Sequence, residues 1–359
     1  MPVSRKRKTK YDQKARYTPR PLAEVLLGIS NGKVPFPEYA GRPVEFIEEK
    51  LFVKLTKNQK EMCLSVVANK VTNVQASHGC GKSFLTALIT VWWVFAEGGL
   101  VVTTAPTNRQ VEEIIWSTIR SVHAKYSLFL GGTCGTKQMR LSEEARAYGF
   151  APRNYDHNSF NGIHGKKLLL IQDEACGITK PVDDGFKSCA TGSNNRILRI
   201  GNPIVPYTPF HSSCKISHIR ISAFTHPNTA WAYHVPDGCE YHRLKPEVAA
   251  GVLNPDGTVK PQNAWPPEFP RDQIDGAVSI EWIEGIRKSE GEGSNYWLGR
   301  VEGVFPLSAI DNIFPMARVD ALREESLAKR SIVEKLSARL PLTAAADVGD
   351  GGDDSSITI

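Results

Sequence analysis

A chain of 359 residues with 41% hydrophobic and 23% charged positions has the make-up of a globular protein, not of a fibrous, disordered or membrane-embedded one. Its formal charge of +6 is concentrated at one end. Residues 1–20 carry eight Lys or Arg (Arg5, Lys6, Arg7, Lys8, Lys10, Lys14, Arg16, Arg20) against the single acid Asp12, a local +7 that leaves the other 339 residues at −1. Net charge therefore speaks for a partner of the N-terminal arm, not of the body. The seven cysteines (Cys63, Cys80, Cys134, Cys176, Cys189, Cys214, Cys239) are scattered and odd in number, a reduced, intracellular pattern rather than a disulfide framework. No apolar core follows the basic start, and the longest apolar-rich run, Phe84 to Ala96, falls short of the roughly 20 residues that span a bilayer. Both facts argue against secretion and membrane insertion.

In chain order, a Pro/Gly-containing stretch leads to about Arg42, after which short β-rich runs alternate with helical segments. Val71 to Ala76 reads as a strand, Lys82 to Phe95 as a buried helix, and Leu100 to Thr104 as a strand. Asn108 to Lys125 follows as an amphipathic helix, with Val111, Ile114, Ile115, Ile119 and Val122 at helical spacing. Further β-rich runs lie at Lys167 to Gln172, Arg196 to Ile200 and Ile216 to Ser222. This alternation predicts an α/β fold with a mostly parallel sheet covered on both faces. Six prolines between Lys245 and Pro270 mark an extended connector or peripheral excursion.

The strand ending at Ala76 runs into Ser77-His78-Gly79-Cys80-Gly81-Lys82-Ser83 and then directly into a helix. This is a phosphate-binding loop (Walker A) whose first Gly is replaced by Ala. The glycines let the backbone curl until successive N–H groups face phosphate oxygens, and the helix N-terminus adds its partial positive charge. Lys82 is expected at the β- and γ-phosphates of ATP, and Ser83 at Mg²⁺. The run Leu168 to Gln172 delivers Asp173 and Glu174 at its C-terminal end (Walker B), where ligands bind in open α/β sheets. Asp173 is expected to hold Mg²⁺ through water and Glu174 to polarise the attacking water, which implies hydrolysis rather than nucleotide storage.

Two further strand ends face the place of the γ-phosphate: Thr103-Thr104-Ala105-Pro106-Thr107 and Gly201-Asn202-Pro203. Asn202 is a candidate γ-phosphate sensor or water-orienting group, and Thr104 or Thr107 a relay to DNA; Pro-containing turns are the plainer reading of both loops. Upstream, Gln59 in Leu55-Thr56-Lys57-Asn58-Gln59 can set an amide against the adenine edge, or simply belong to a helix start capped by Thr56.

Together these residues resemble the large terminase subunit of tailed bacteriophages, the ATP-driven motor that packages DNA into proheads. The resemblance rests on an ordered series: the Gln59 region, the loop at 76–83, Thr103 to Thr107, Phe160 to Gly165 leading into Asp173-Glu174-Ala175, Gly201 to Pro203, Ser222 to Asn228, and Arg300 to Pro306. It implies a P-loop NTPase of the additional-strand (ASCE, RecA-like) class, followed by a linker or lid and an endonuclease domain of RNase H-like fold. The organisation expected from it is a basic, flexible arm at 1–42, an ATPase core at 43–240, the Pro-rich excursion with a linker or lid at 241–335, and the start of the nuclease domain at 336–359. Leu342 to Ala346 is expected as the first nuclease strand, delivering Asp347 as a metal ligand. A second divalent-metal site there needs further acids from other strands, so this stretch is expected to hydrolyse ATP and not to cut DNA. An acidic, Gly-rich tail is the competing reading of Asp347. The resemblance also implies double-stranded DNA, the portal protein and prohead, and the small terminase subunit as partners, a homo-oligomeric ring on the portal, and action in the host cytoplasm.

The sequence departs from the pattern at His78, where some relatives carry an Arg four residues before the Lys. The arginine that stabilises transition-state charge is then sought elsewhere, with Arg109, Arg153, Arg196 and Arg199 as unranked candidates, or in a neighbouring subunit. His211, Cys214, Cys239 and His242 have a spacing that a Cys₂His₂ zinc site can use, although isolated Cys and His residues are the commoner reading. A helicase-like or repair ATPase is the alternative function. It needs a second RecA-like domain, and residues 230–340 hold no Gly-Arg-x-x-Arg segment.

Overall fold

A computed structural model describes residues 33–153 and 157–307, together with Glu324, Ala328 and the strand residues 345–347 and 356–358. The chain divides into two units, Met1–Phe305 and Pro306–Ile359. The first is organised on an eight-stranded sheet formed by β1 (Val71–Ala76), β2 (Leu100–Thr104), β3 (Thr133–Cys134), β4 (Gln138–Arg140), β5 (Arg146–Gly149), β6 (Leu168–Gln172), β7 (Asn195–Gly201) and β8 (Ile219–Ile221). Their spatial order is β3-β4-β5-β2-β6-β7-β1-β8. Only β4 runs against its neighbours; the remaining pairs are parallel. Strand β7 lies between the strand that leads into the phosphate-binding loop and the strand that delivers the acids, as the additional-strand class requires.

The central strands are apolar because both of their faces are covered. Leu169 and Ile171 of β6 join Val101, Leu198 and Ile200 in a core against α2 (Lys57–Ala68), α3 (Lys82–Trp92) and α4 (Trp116–Leu130). The alternate residues Leu168 and Leu170 point to the opposite face and meet Val182 and Phe186 of α5 (Lys180–Ser188). Helix α1 (Pro43–Glu49) adds Phe46 and Ile47 to the first core. Both α3 and α4 adjoin a π-helical turn, Trp93–Glu97 after the first and Gln110–Ile115 before the second.

Two expectations are corrected. Residues 34–42, assigned to the arm, belong to the body: Phe36 and Tyr39 are buried, and the Phe36 N–H donates to the Phe95 carbonyl at 3.1 Å. Residues 1–32 of the arm lie outside the described residues. The run at 216–222 is strand only from Ile219, because Thr208 accepts from the His211 N–H and caps α6 (Pro209–Ile216), leaving Ile216 exposed at its end. The short antiparallel ribbon β3–β5 was not expected at all.

A second apolar core draws on Ala223 to Val301, on both sides of residue 240. It gathers the β9 (Tyr233–His234) and β10 (Arg243–Leu244) pair, α7 (Pro246–Val252), α8 (Ile280–Ser289), and the indoles of Trp265 and Trp297. Much of the Pro-rich excursion is thus folded onto apolar partners. In the second unit, β11 (Ala345–Asp347) pairs antiparallel with β12 (Ser356–Thr358), and Asp347 ends its strand opposite Ser356. Residues 342–344 and, within the expected excursion and linker or lid at 241–335, residues 308–323, 325–327 and 329–335 lie outside the described residues.

Candidate functional site

Parallel strands deliver their C-terminal ends to one edge, and the register brings the expected residues to it. Gln75 of β1 lies beside Gly201 of β7, and Gln172 of β6 lies beside Thr104 of β2. Asn202, directly after β7, donates from Nδ2 to the Ala76 carbonyl at 2.7 Å. The Asp173 N–H donates to the Thr104 carbonyl at 2.9 Å. These bonds tie the end of β1 to the loop after β7, and the end of β2 to the loop after β6.

The phosphate-binding loop turns through two left-handed glycines, Gly79 at φ +67° and Gly81 at φ +80°. At Gly79 a Cβ would stand 2.9 Å from the Val278 nitrogen, so only glycine admits the segment that closes against it. Lys82 opens α3, and its Nζ donates to the Ser77 carbonyl at 3.0 Å and to Asn202 Oδ1 at 3.2 Å. The ammonium is folded into its own loop, on the two groups that an incoming phosphate would replace. Ser77 is fully buried, and its Oγ has no hydrogen-bond partner among the described residues. Cys80 is buried with Sγ donating to the Ser77 carbonyl; burial raises its thiol pKa. Ser83 follows Lys82 in the first turn of α3.

Asp173 is 1% exposed, and its Oδ1 lacks a hydrogen-bond partner among the described residues. Burial, with the Glu174 charge beside it, pushes its carboxyl up to about 7, against the opposing pull of Lys82. A buried carboxylate with one unpartnered oxygen, in the field of Lys82 at the start of α3, is suited to a cation that would complete its coordination. Glu174 is half-buried and holds φ +47°, a conformation that costs a non-glycine residue and is characteristic of functional turns.

Thr104 lies at the site edge, but its hydroxyl donates to the Phe150 carbonyl at 2.9 Å, tying β2 to the segment after β5. Gln59 belongs to a helix start capped by Thr56, and its amide nitrogen lies near the phosphate-binding loop. Its Oε1 accepts from the Thr56 N–H at 3.0 Å in a capping box at the start of α2, while its Nε2 abuts Gly81, 3.2 Å from where a Cβ would be. The amide is therefore presented at the loop. Of the arginines considered, Arg199 is buried on Asp183 at 2.8 Å, and Arg196 is bonded to the Val67 and Ser193 carbonyls. Arg109 is exposed and paired with Glu113, and Arg153 is exposed.

Sequence reasoning missed the contribution of the second core. The Val278 N–H donates to the Gly79 carbonyl at 3.0 Å, and the His78 N–H donates to the Arg300 carbonyl at 2.8 Å. The imidazole of His78 is tilted against Trp282 at 5.9 Å. Such long-range main-chain contacts leave no local spacing to read. Among the described residues no group of three or more His, Cys, Asp or Glu side chains is assembled for a metal. His211 Nδ1 accepts from the Tyr207 N–H, Cys214 is buried in α6, and His242 stacks on Phe224 at 4.3 Å. No helix among the described residues is long and apolar enough to cross a membrane.

No protein-family model matches the chain. Over 154 residues, 40% of its length, it is 30% identical to a probable terminase large subunit of Enterobacteria phage P7; the match spans 31% of that protein. Its fold is similar to that of the HK97 bacteriophage large terminase, with a TM-score of 0.48 and 13% identity over 74% of this chain and 55% of that one. It is also similar to a mutant of the large terminase ATPase domain of Thermus phage P74-26, with a TM-score of 0.40 and 18% identity over 48% of this chain and 74% of that one.

Proposed function

We propose that this chain is the ATP-hydrolysing part of a phage large terminase subunit, a motor that moves double-stranded viral DNA into a prohead. The observation that carries the reading is the convergence at one sheet edge of Lys82, Asn202, Asp173 and the strained Glu174, with β7 inserted between β1 and β6. The sequence similarity to a probable terminase large subunit supports it.

In this reading the polyphosphate of ATP lies in the loop at 77–83, where main-chain N–H groups and the first turn of α3 face its oxygens. Lys82 exchanges the Ser77 and Asn202 oxygens for phosphate oxygens. Ser83 and the buried Asp173 would hold Mg²⁺, which neutralises phosphate charge when bound. Glu174 accepts a proton as water attacks the γ-phosphorus, and the bond from that phosphorus to the bridging oxygen of ADP breaks. Release of Lys82 frees Asn202 to respond to the γ-phosphate, so the loop after β7 changes partners with nucleotide state. Gln59 Nε2 would meet the base, a reading supported by its closeness to Gly81.

Duplex contact through the phosphate backbone suits a motor that must move any sequence. The portal, the prohead, the small terminase subunit and further copies in a ring are its proposed partners, and the host cytoplasm its place of action. Phosphate release and DNA packaging should both be abolished in Lys82→Ala and Glu174→Ala; turnover retained in either refutes the site. Duplex unwinding by the purified protein would favour the helicase reading.

A further inference from the structure

The phosphate-binding loop carries a single cation, Lys82, and an exposed His78 where a second could stand. Yet the main chain of an arginine, Arg300, is brought to it from more than 200 residues downstream in the sequence. A short helix, α9 (Asn295–Trp297), continues into a π-helical turn, Leu298–Glu302, that closes on Gly303 at φ +68°. This turn is pinned to the loop from two sides. A Cβ on Gly299 would lie 2.9 Å from the Pro203 carbonyl oxygen, and one on Gly303 would lie 2.8 Å from the Ile221 oxygen and 3.3 Å from the Ser77 nitrogen. Between these two close approaches the Arg300 carbonyl accepts the His78 N–H at 2.8 Å. Arg300 is thus anchored by its own main chain to the residue that begins the phosphate cradle, and its turn rests on the loop that bears Asn202.

Its side chain is uncommitted in a way its neighbours are not. Arg220 pairs with Glu302 at 2.7 Å and Arg287 with Glu284 at 3.1 Å. The Arg300 guanidinium lies 5.0 Å over the Tyr296 ring, and no ion pair holds it among the described residues. Partial burial of the ring first, and then the charges of Lys82 and Arg300, lower the pKa of His78.

We infer that Arg300 is a catalytic residue acting in cis, its guanidinium leaving the Tyr296 face to contact the γ-phosphate oxygens as charge develops on them. The inference rests on the ATPase reading of the site. As the bond between the γ-phosphorus and the ADP oxygen breaks, negative charge spreads over the equatorial and leaving oxygens, and a planar cation with several donors stabilises it. Because its turn touches both His78 and the Asn202 loop, the arginine is available only when the second core is seated on the sheet, which ties hydrolysis to that docking.

The test uses full-length wild type, Arg300→Ala and Arg300→Lys, measuring kcat and KM for ATP, and affinities for ADP and for ADP with aluminium fluoride. Arg300→Ala should lower kcat by about 1,000-fold while KM moves less than about threefold. ADP affinity and thermal stability should stay at the wild-type level, with tight binding of ADP–aluminium fluoride lost. Arg300→Lys should recover part of kcat, since it restores the charge and not the fork. Mixing Arg300→Ala with Lys82→Ala subunits should restore no turnover; restoration would place the arginine in trans and overturn the inference. A kcat within twofold of wild type, or losses of kcat, ADP affinity and stability together, would overturn it too. A wild type without ATP turnover refutes the ATPase reading itself, and this inference with it.

Discussion

The Asp173 carboxyl is buried beside a second acid, and its pKa rises from 3.8 to about 7. A raised carboxyl pKa means that the folded protein binds this proton more tightly than the unfolded chain does. Its contribution to stability is therefore most favourable below pH 4 and becomes progressively unfavourable as pH rises towards 7. At pH 8, without divalent metal, Asp173→Asn should raise the thermal midpoint, with a free-energy gain on the order of 4 kcal/mol, and the gain should vanish at pH 4. The same variant should lose ATP hydrolysis. Equal stability of the two proteins at pH 8 would mean that the carboxylate has a partner or solvent access that its burial denies. At this scale the sequence was informative wherever chemistry is written in adjacent residues. Lys82 and Ser83 after two glycines, and Asp173 with Glu174 after four apolar positions, were legible as they stand. The docking of Arg300 and Val278 on the loop was not, because it depends on where a distant segment folds back.

Elements around the site are tied together by a buried polar chain. Arg199 of β7 donates to Asp183 of α5 at 2.8 Å and to Gln172 of β6 at 3.0 Å, and to Ser213 of α6 at 3.3 Å. Ser213 in turn donates to Asn73 of β1 at 3.0 Å. This chain connects the strand before Asp173 to both neighbouring helices. Burial alone would raise the Asp183 pKa, but Arg199 and Lys187 outweigh it and hold the carboxyl below its ordinary value. The stabilisation is therefore present above about pH 4 and lost as pH falls through the lowered pKa. Arg199→Met should destabilise the protein by about 3 kcal/mol at pH 7, because it leaves the buried Asp183 carboxylate with Lys187 as its remaining ion-pair partner, and Asp183→Leu added to it should recover much of the loss. Chemical denaturation of both variants, repeated at pH 3 where the single variant's deficit should shrink, checks this. The main strands and helices were legible from apolar runs and helical spacing. The ribbon β3–β5 was not, since two to four residues per strand give too little alternation to detect, and the start of β8 was misread because Ile216 belongs to a helix that Thr208 caps.

For the whole molecule, charge and length now have separate meanings. In the proposed function the +7 of residues 1–20 would act on DNA phosphates, while nucleotide chemistry would belong to the sheet edge. Removing residues 1–20 should flatten the dependence of duplex binding on salt, by about 0.9 in the log–log slope for each phosphate the arm neutralises. Phosphate release measured without DNA should be unchanged. A slope unaffected by the deletion would place DNA contact wholly on the folded body. The boundary expected at residue 240 was the least legible feature, since proline content suggested a connector and gave no sign that Trp265, Trp297 and α8 would assemble a core and close it over the phosphate-binding loop. The claim on which the account turns is that Glu174 takes the proton from water at this sheet edge. Single-turnover phosphate release by Glu174→Gln, alongside equilibrium ATP binding to the same variant, tests it most directly. The account predicts binding close to wild type and a rate reduced by about 100-fold or more; hydrolysis at the wild-type rate would contradict it.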